Sequence, residues 1–351
     1  MKLHRLPLLA MVAYAGLASL NAQTTVATDP VGFVTATIKA STTPGVPANT
    51  PLSPVLLALS AVTGSTTGQI SSVSDSDITV SSAGWTASEL VSSQAYVLFK
   101  TGALNGLILR VTANTATTAT LDTLSASLVT LGAVAGDSYQ LVQGDTLSSM
   151  FDDGNNDGIP DGVVGGTQTQ FQNGQTDRVT TRDTAGTVRT YYFNTQFNQW
   201  RRLGSNTSQG NLPIPPTSGV MYSRIGNTPI TQVTTGNVPV TAVKYLVPAS
   251  GQTYFARYFP SDGTISGFGF QSLPGWKGTN NGFTISQADK VVTTDTSGVI
   301  RQYYWTGTQW RRQGSSTDQS SVPVPVAGSV SVIRTGSGAP QLLNMNLPYT
   351  L

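Results

Sequence analysis

Short runs in which apolar and polar side chains alternate, each cut off by glycine, proline, asparagine or aspartate, fill this chain from residue 31 onward. A two-residue period belongs to strands, whose neighbouring side chains point to opposite faces. The run VGFVTATI at 31–38 sets Val31, Phe33, Thr35 and Thr37 on one face and Val34, Ala36 and Ile38 on the other, which predicts a strand buried on at least part of both sides. STTPGVPANTPLSP reads as a proline-rich loop. After it come GQISSV, DITV, AYVLFK at 95–100, GLILRVT at 106–112 and TTATLDT, separated by polar turns such as TGALNG and ANTA. That is the pattern of paired strands, and closure into a small barrel or sandwich over residues 27–142 would remove their open edges.

Two later stretches are copies of one another. Residues 177–229 read DRVTTRDTAGTVRTYYFNTQFNQWRRLGSNTSQGNLPIPPTSGVMYSRIGNTP, and residues 289–340 read DKVVTTDTSGVIRQYYWTGTQWRRQGSSTDQSSVPVPVAGSVSVIRTGSGAP. In each, a predicted hairpin (GTVRTYYF with QWRRLG, GVIRQYYW with QWRRQG) precedes a proline-held stretch and a strand ending in Arg224 or Arg334. The two-residue deletion falls in the hairpin loop, where length changes cost little. SYQLV at 138–142 and KYLVP at 244–248 look like matching opening strands. The expected organisation is therefore all-β: a signal peptide (1–22), an N-terminal β barrel or sandwich (23–137) and two tandem β modules (138–236 and 237–351).

The first segment has the features of a secretory leader, with a basic start (MKLHR), an apolar run over residues 6–20 and Ala22 before Gln23. The apolar run is shorter than the about 20 residues a membrane span needs, so no transmembrane segment is expected in the mature chain. Cleavage changes the chemistry available. Of 19 basic and 17 acidic residues, Lys2 and Arg5 leave, which makes the mature chain neutral. His4, the only histidine, leaves with them, and there is no cysteine. This inventory excludes zinc sites of the His/Cys kind, histidine-based Ser or Cys hydrolysis, and heme ligation. Glu89 is the sole glutamate, and most aspartates sit beside Gly, Ser, Thr or Asn, where they cap and turn the backbone. Almost no helix is expected.

The mature start ATDPVGFVT, the segment GLILRVTANTATTATL and the order DKV, YYW, QWRR, PVP together resemble a family of uncharacterised secreted β-rich proteins of verrucomicrobial-type bacteria. The likeness covers nearly the whole mature chain and brings no activity, cofactor or catalytic residue with it. The C-terminal module is also similar to units that recur in large bacterial surface proteins. Its closing turn is partly kept here, as PPTSGVMYSR and PVAGSVSVIR.

Three signals bear on chemistry. In FDDGNNDGIPDG, Asp153, Asn155, Asp157 and Asp161 fall at positions 1, 3, 5 and 9 of a calcium loop, with Gly158 at the sharp turn and the carbonyl of Ile159 at position 7. Position 12, usually a bidentate Glu, is Val164, so the loop predicts one calcium site of the extracellular-repeat kind, and an acidic surface turn is the competing reading. Second, Tyr191, Tyr192, Phe193 and Trp200 recur as Tyr303, Tyr304, Trp305 and Trp310, beside Arg201 and Arg311. One row on each strand must be core; the other would form an exposed platform for sugar rings, or cross-strand packing covered by arginine stems, the favoured reading. Third, paired carboxylates could serve a glycosidase, and Asp183 with Asp295, or Asp177 with Asp289, recur in the repeat, although RDTAGT and TDTSGV describe hairpin turns. No catalytic residue is assigned.

Neutrality and dispersed arginines argue against nucleic-acid binding. The sequence thus predicts a secreted, noncatalytic structural or adhesive component of the cell surface or extracellular space, with polysaccharide or other surface components as partners. A carbohydrate-binding protein is the first alternative and an outer-membrane β-barrel the second.

Overall fold

Strand pairing sorts the chain into three β units, and the order in which the chain builds them differs from the order in which they lie in the sequence. The computed structural model describes residues 31–54, 58–59, 62–151, 160–183, 185–295 and 297–349. The signal-peptide segment 1–22 lies outside them. Among them the protein is nearly all β, with three α-helices of four or five residues, Glu89–Ser92, Leu128–Leu131 and Gln168–Gln172.

The two aligned stretches each supply most of a five-stranded antiparallel sheet of the same order. In the second module the order is Trp310–Arg312, Ile300–Trp305, Lys290–Thr294, Ser329–Thr335 and Ser250–Ala256. In the first it is Gln199–Arg202, Val188–Asn194, Arg178–Arg182, Val220–Arg224 and Ala48–Leu52. The fifth strand of the first sheet comes from the stretch read as a proline-rich loop. Pro51 is compatible with it because this strand forms the edge, where a missing N–H breaks no ladder. Each module is tied off by a ribbon joining its first and last strands: Val243–Val247 with Gln341–Met345, and Val31–Ile38 with Ile230–Asn237.

The opening strand of the first module is therefore Val31–Ile38, and Ser138–Gln143 belongs elsewhere. It pairs with Ala95–Phe99, inside an eight-stranded sheet spanning residues 58–143. That unit is inserted into the first module between Leu52 and Asp145, so the strand pairing departs from the boundary drawn at residue 137. The physical reason is local: Gln143 pairs with Ala58 and Val142 with Leu59, so the chain leaves the insertion beside where it entered. Among the described residues the sheet is open rather than a closed barrel, ending at Ser72–Val73 on one side and Ala58–Leu59 on the other.

The apolar run AYVLF explains how the insertion packs. Ala95, Val97 and Phe99 enter its own core with Trp85, Leu90 and Leu104. Tyr96, between them in sequence, points the other way, into the core of the second module beside Tyr245 and Phe255. By contrast, Val31–Ile38 is buried on one face only: Val34 and Ile38 are buried, whereas Phe33 is 73% exposed. The expectation of burial on both sides fails because the ribbon has a single partner strand and nothing described lies over its outer face.

The two modules meet through reciprocal bonds. The amide of Ser53, just past the first edge strand, donates to the carbonyl of Ala327 at 2.9 Å, and the amide of Ala256, at the end of the second, donates to the carbonyl of Thr217 at 3.0 Å. Gly219 and Ser329 hold equivalent positions and touch: a Cβ on Gly219 would stand 2.2 Å from the Ser329 Cβ. The arrangement is that of an isologous dimer built within one chain.

Candidate functional site

The aromatic rows are scaffold. Tyr191 and Phe193 lie on one face of their strand with Trp200 directly across from Phe193, ring centroids 5.9 Å apart. Tyr192 lies on the opposite face and stacks on Phe171 at 4.5 Å, under the helix Gln168–Gln172. In the second module Trp305 faces Trp310 at 5.7 Å, and Tyr304 lies under the 3-10 helix Gly282–Gln287, against Gly282. Tyr191, Tyr192, Trp200, Tyr303, Tyr304 and Trp310 are all buried, and Trp305 is half-buried. The exposed sugar platform is thus replaced by packing on both faces, because short helices cover the side that strand periodicity alone leaves open. Arg201 is buried too, its guanidinium 3.7 Å from the centre of the Phe197 ring and its Nη2 donating to the carbonyl of Asn206 at 3.1 Å. Arg311 is half-buried.

The repeated aspartates divide into two kinds. Asp183 and Asp295 make the hairpin turns: each Oδ1 accepts two backbone amides, from Ala185 and Thr187 or from Ser297 and Val299. Each Oδ2 meets an arginine six residues on, Arg189 at 3.3 Å or Arg301 at 2.8 Å. Asp177 and Asp289 are buried in ion pairs with Arg224 at 2.8 Å and Arg334 at 2.7 Å. Every side of the Asp177 carboxylate is used. Its Oδ2 accepts from the Val164 amide, the Tyr222 hydroxyl and Arg224 Nη1, and its Oδ1 from the Ile225 amide. None of the four is placed as half of a two-carboxylate hydrolytic pair. The signal for the ion pairs was present in the sequence, since Asp177 and Arg224 recur as Asp289 and Arg334 at aligned positions, the separations of 47 and 45 residues differing by the two-residue deletion in the hairpin loop.

Of the calcium-loop residues, Asp153, Asn155, Asp157 and Ile159 lie outside the described residues, and Asp161 is exposed in a turn. Both flanks are fixed. Phe151 packs on Trp200 and Tyr222 at 5.5 and 5.3 Å. On the other side, the carbonyl of Gly162 accepts from Arg224 Nη1 at 2.8 Å, and the Val164 amide reaches Asp177. Gly162 and Val164 thus tie the chain just after the loop to the buried Asp177–Arg224 pair.

A cleft that sequence reasoning missed lies where the three units meet, with a volume of about 260 Å³. The insertion contributes Tyr96, Ile108, Arg110 and Asp122 to its walls. The first module adds Arg182, Pro213 and Pro215, and the second Thr253, Tyr254 and Phe255. Arg110 Nη2 meets Asp122 Oδ2 at 3.2 Å. Arg182 is held by its Nε on the carbonyl of Gly186 at 2.8 Å and by its Nη1 on the Thr253 hydroxyl at 3.4 Å. Burial lowers the Arg182 pKa, against the opposing pull of Asp122 and Asp183. The Tyr96 hydroxyl is buried and has no hydrogen-bond partner among the described residues. No local motif marks this cleft, because its walls come from segments far apart in the chain.

Burial also pushes the hydroxyls of Tyr191 and Tyr254 up to about 12. Their neutral forms are favoured in the folded state, so their contribution to stability is complete below the ordinary tyrosine value of about 10 and is lost as pH rises from there toward the folded value. The melting temperature should therefore fall between about pH 10 and 12, with tyrosinate absorbance rising together with unfolding. Tyrosinate formation at pH 10 without loss of near-ultraviolet dichroism would show that these rings are accessible.

Compared with protein-family models, with curated proteins and with solved structures, the chain matches none.

Proposed function

We propose that the protein is a secreted, noncatalytic structural or adhesive component of the cell surface or extracellular matrix. The observation that carries this reading is that the ionisable residues repeated between the modules, Asp177, Asp183, Asp289 and Asp295, are all engaged in holding strands and turns. The leader-like residues 1–22, the neutral mature charge and the resemblance to secreted β-rich proteins point the same way. Among the described residues no helix is long and apolar enough to cross a membrane. The test is to express the full chain with a C-terminal tag in a Gram-negative host and follow it by fractionation and surface protease treatment. Export with loss of residues 1–22 is expected; retention in the cytoplasm with an intact N-terminus would sink the proposal.

The same reading gives the loop from Asp153 to Asp161 a calcium ion. Three carboxylates, one amide and the Ile159 carbonyl are hard oxygen donors of the kind calcium takes, and the absence of a glutamate at Val164 places affinity toward about 10⁻⁴ to 10⁻³ M. Because Gly162 and Val164, which follow the loop, are bonded to the Asp177–Arg224 pair, binding should stabilise the first module by about 1 kcal/mol at a few times the dissociation constant. Asp157→Ala should remove that gain. A calorimetric trace with no calcium heat, together with a melting temperature indifferent to chelator, would return the loop to an acidic turn.

A further inference from the structure

We propose that the ribbon formed by Val31–Ile38 and Ile230–Asn237 is a dimerisation element, which pairs edge to edge with the same ribbon of a second copy of this chain. The pairing goes beyond the structural role assigned above and does not depend on where the protein resides.

An unpaired sheet edge offers backbone N–H and C=O groups to any strand that approaches, and folded proteins blunt such edges with proline, charge, brevity or a cover. The two five-stranded sheets are protected at all their edges. Pro51 blunts Ala48–Leu52, and on the opposite edges the carbonyls of Trp200 and Trp310 accept from the amides of Gln209 and Gln319, each at 2.8 Å. Ser250–Ala256 is met by the first module, where Ala256 donates to Thr217. The ribbon of the first module has none of these devices. Its strands VGFVTATI and ITQVTTGN each run for eight residues without a proline or a charged side chain. Among the described residues no backbone bond reaches the outer edge of Val31–Ile38. The outer face is apolar where it stands out most, at Phe33 and at Val233, which is 59% exposed and lies across from Thr35.

The second module shows what such a ribbon accepts. The outer edge of its first strand, Val243–Val247, is occupied by the inserted unit: the Lys244 amide donates to the carbonyl of Gly106 at 2.9 Å, and Leu107 forms a parallel bridge with Lys244. On the outer face Leu246 belongs to the core of that unit, with Leu342 packed against it. The equivalent edge and face of the first module lack this cover. The connection that would have to supply it, between Ala256 and Gly263 of the second module, is too short to hold a unit of its own.

A second copy fills the place with the fewest conflicts. In a pair related by a two-fold axis, charges near the axis meet their own like, and a strand without charges avoids that penalty. Antiparallel pairing of Val31–Ile38 with itself closes after two chains, covers both free edges at one interface and merges the ribbons into a four-stranded sheet. Eight residues a side make about eight main-chain hydrogen bonds, within the about 5 to 15 of a specific interface.

The test is sedimentation velocity on the purified chain from residue 23 onward, at low to high micromolar concentration, where a monomer–dimer equilibrium and nothing larger is expected. Phe33→Lys with Thr35→Lys places two cations at exposed positions of each pairing strand, so association should weaken at least about tenfold, with the melting temperature of the dilute monomer unchanged. Phe33→Glu with Thr35→Glu should do the same. Mixing the two variants should restore a dimer holding one of each, which a misfolded ribbon would not allow. A monomer at every concentration, an open series of oligomers, or a dimer indifferent to both variants would overturn the pairing, as would folded variants that fail to associate when mixed.

Discussion

Asp177→Ala should destabilise the protein by about 3 to 5 kcal/mol. The substitution strands four donors at once: the amides of Val164 and Ile225, the Tyr222 hydroxyl and the Arg224 guanidinium, which is itself buried. A lone buried cation is far costlier than the ion pair, because the pair's mutual attraction no longer offsets desolvation. The urea midpoint should fall accordingly, against a total stability on the order of 5 to 15 kcal/mol. Replacing both partners, as Asp177→Leu with Arg224→Met, should recover only the part of the loss due to the stranded charge, since the amides of Val164 and Ile225 and the Tyr222 hydroxyl stay unpaired. A single variant with the parental midpoint would mean that water reaches this pair.

Trp310→Ala should cost a similar amount, about 3 to 5 kcal/mol, through the void left among Trp276, Trp305 and the strand Ser329–Thr335. Trp200→Ala should match it, because Trp200 is enclosed by Phe151 and Phe193. Trp305→Ala should cost clearly less, its ring being only half-buried. The buried Trp310 Nε1–H has no partner among the described residues, so Trp310→Phe removes an unmet donor along with some volume and should be the mildest change at that site. Differential scanning calorimetry on the four variants orders them. Equal melting temperatures for Trp310→Ala and the parent would restore the exposed-platform reading of these rings.

Local patterns in the sequence carried the hairpins far better than they carried the partnerships between distant strands. Alternation and the spacing of Gly and Asp mark Val188–Asn194 with Gln199–Arg202, and the turns at Asp183 and Asp295, because those pairings close within a few residues. The insertion was not legible. SYQLV and KYLVP share a pattern, yet a strand's alternation records which faces are buried and not which strand lies beside it. Pro51 disguised an edge strand as loop. The covering of Tyr192 was missed because five helical residues show no helical period, although Thr167 with Gln170 forms a capping box that announces the helix. The cleft needed the fold itself, since Tyr96, Arg182 and Tyr254 approach one another only after all three units are in place.

The path of the chain also sets an order of events as it leaves the ribosome. The strand Ala48–Leu52 emerges early but pairs only with Val220–Arg224, and Val31 waits for Asn237. Residues 58–143 can meanwhile complete the pairings of their sheet, because all of its strand partners lie within that span and only the isolated Leu107–Lys244 bridge waits for later residues. The nascent protein therefore holds a middle sheet already paired, its Tyr96 face still awaiting the second module, with unpaired strands of an unfinished module trailing from its two ends. In that interval an edge such as Ala48–Leu52, with only Pro51 to blunt it, is open to pairing with a neighbouring chain. A vectorial delay of this kind favours a chain kept apart from its copies until residue 237 has emerged, as chaperone-held export would do.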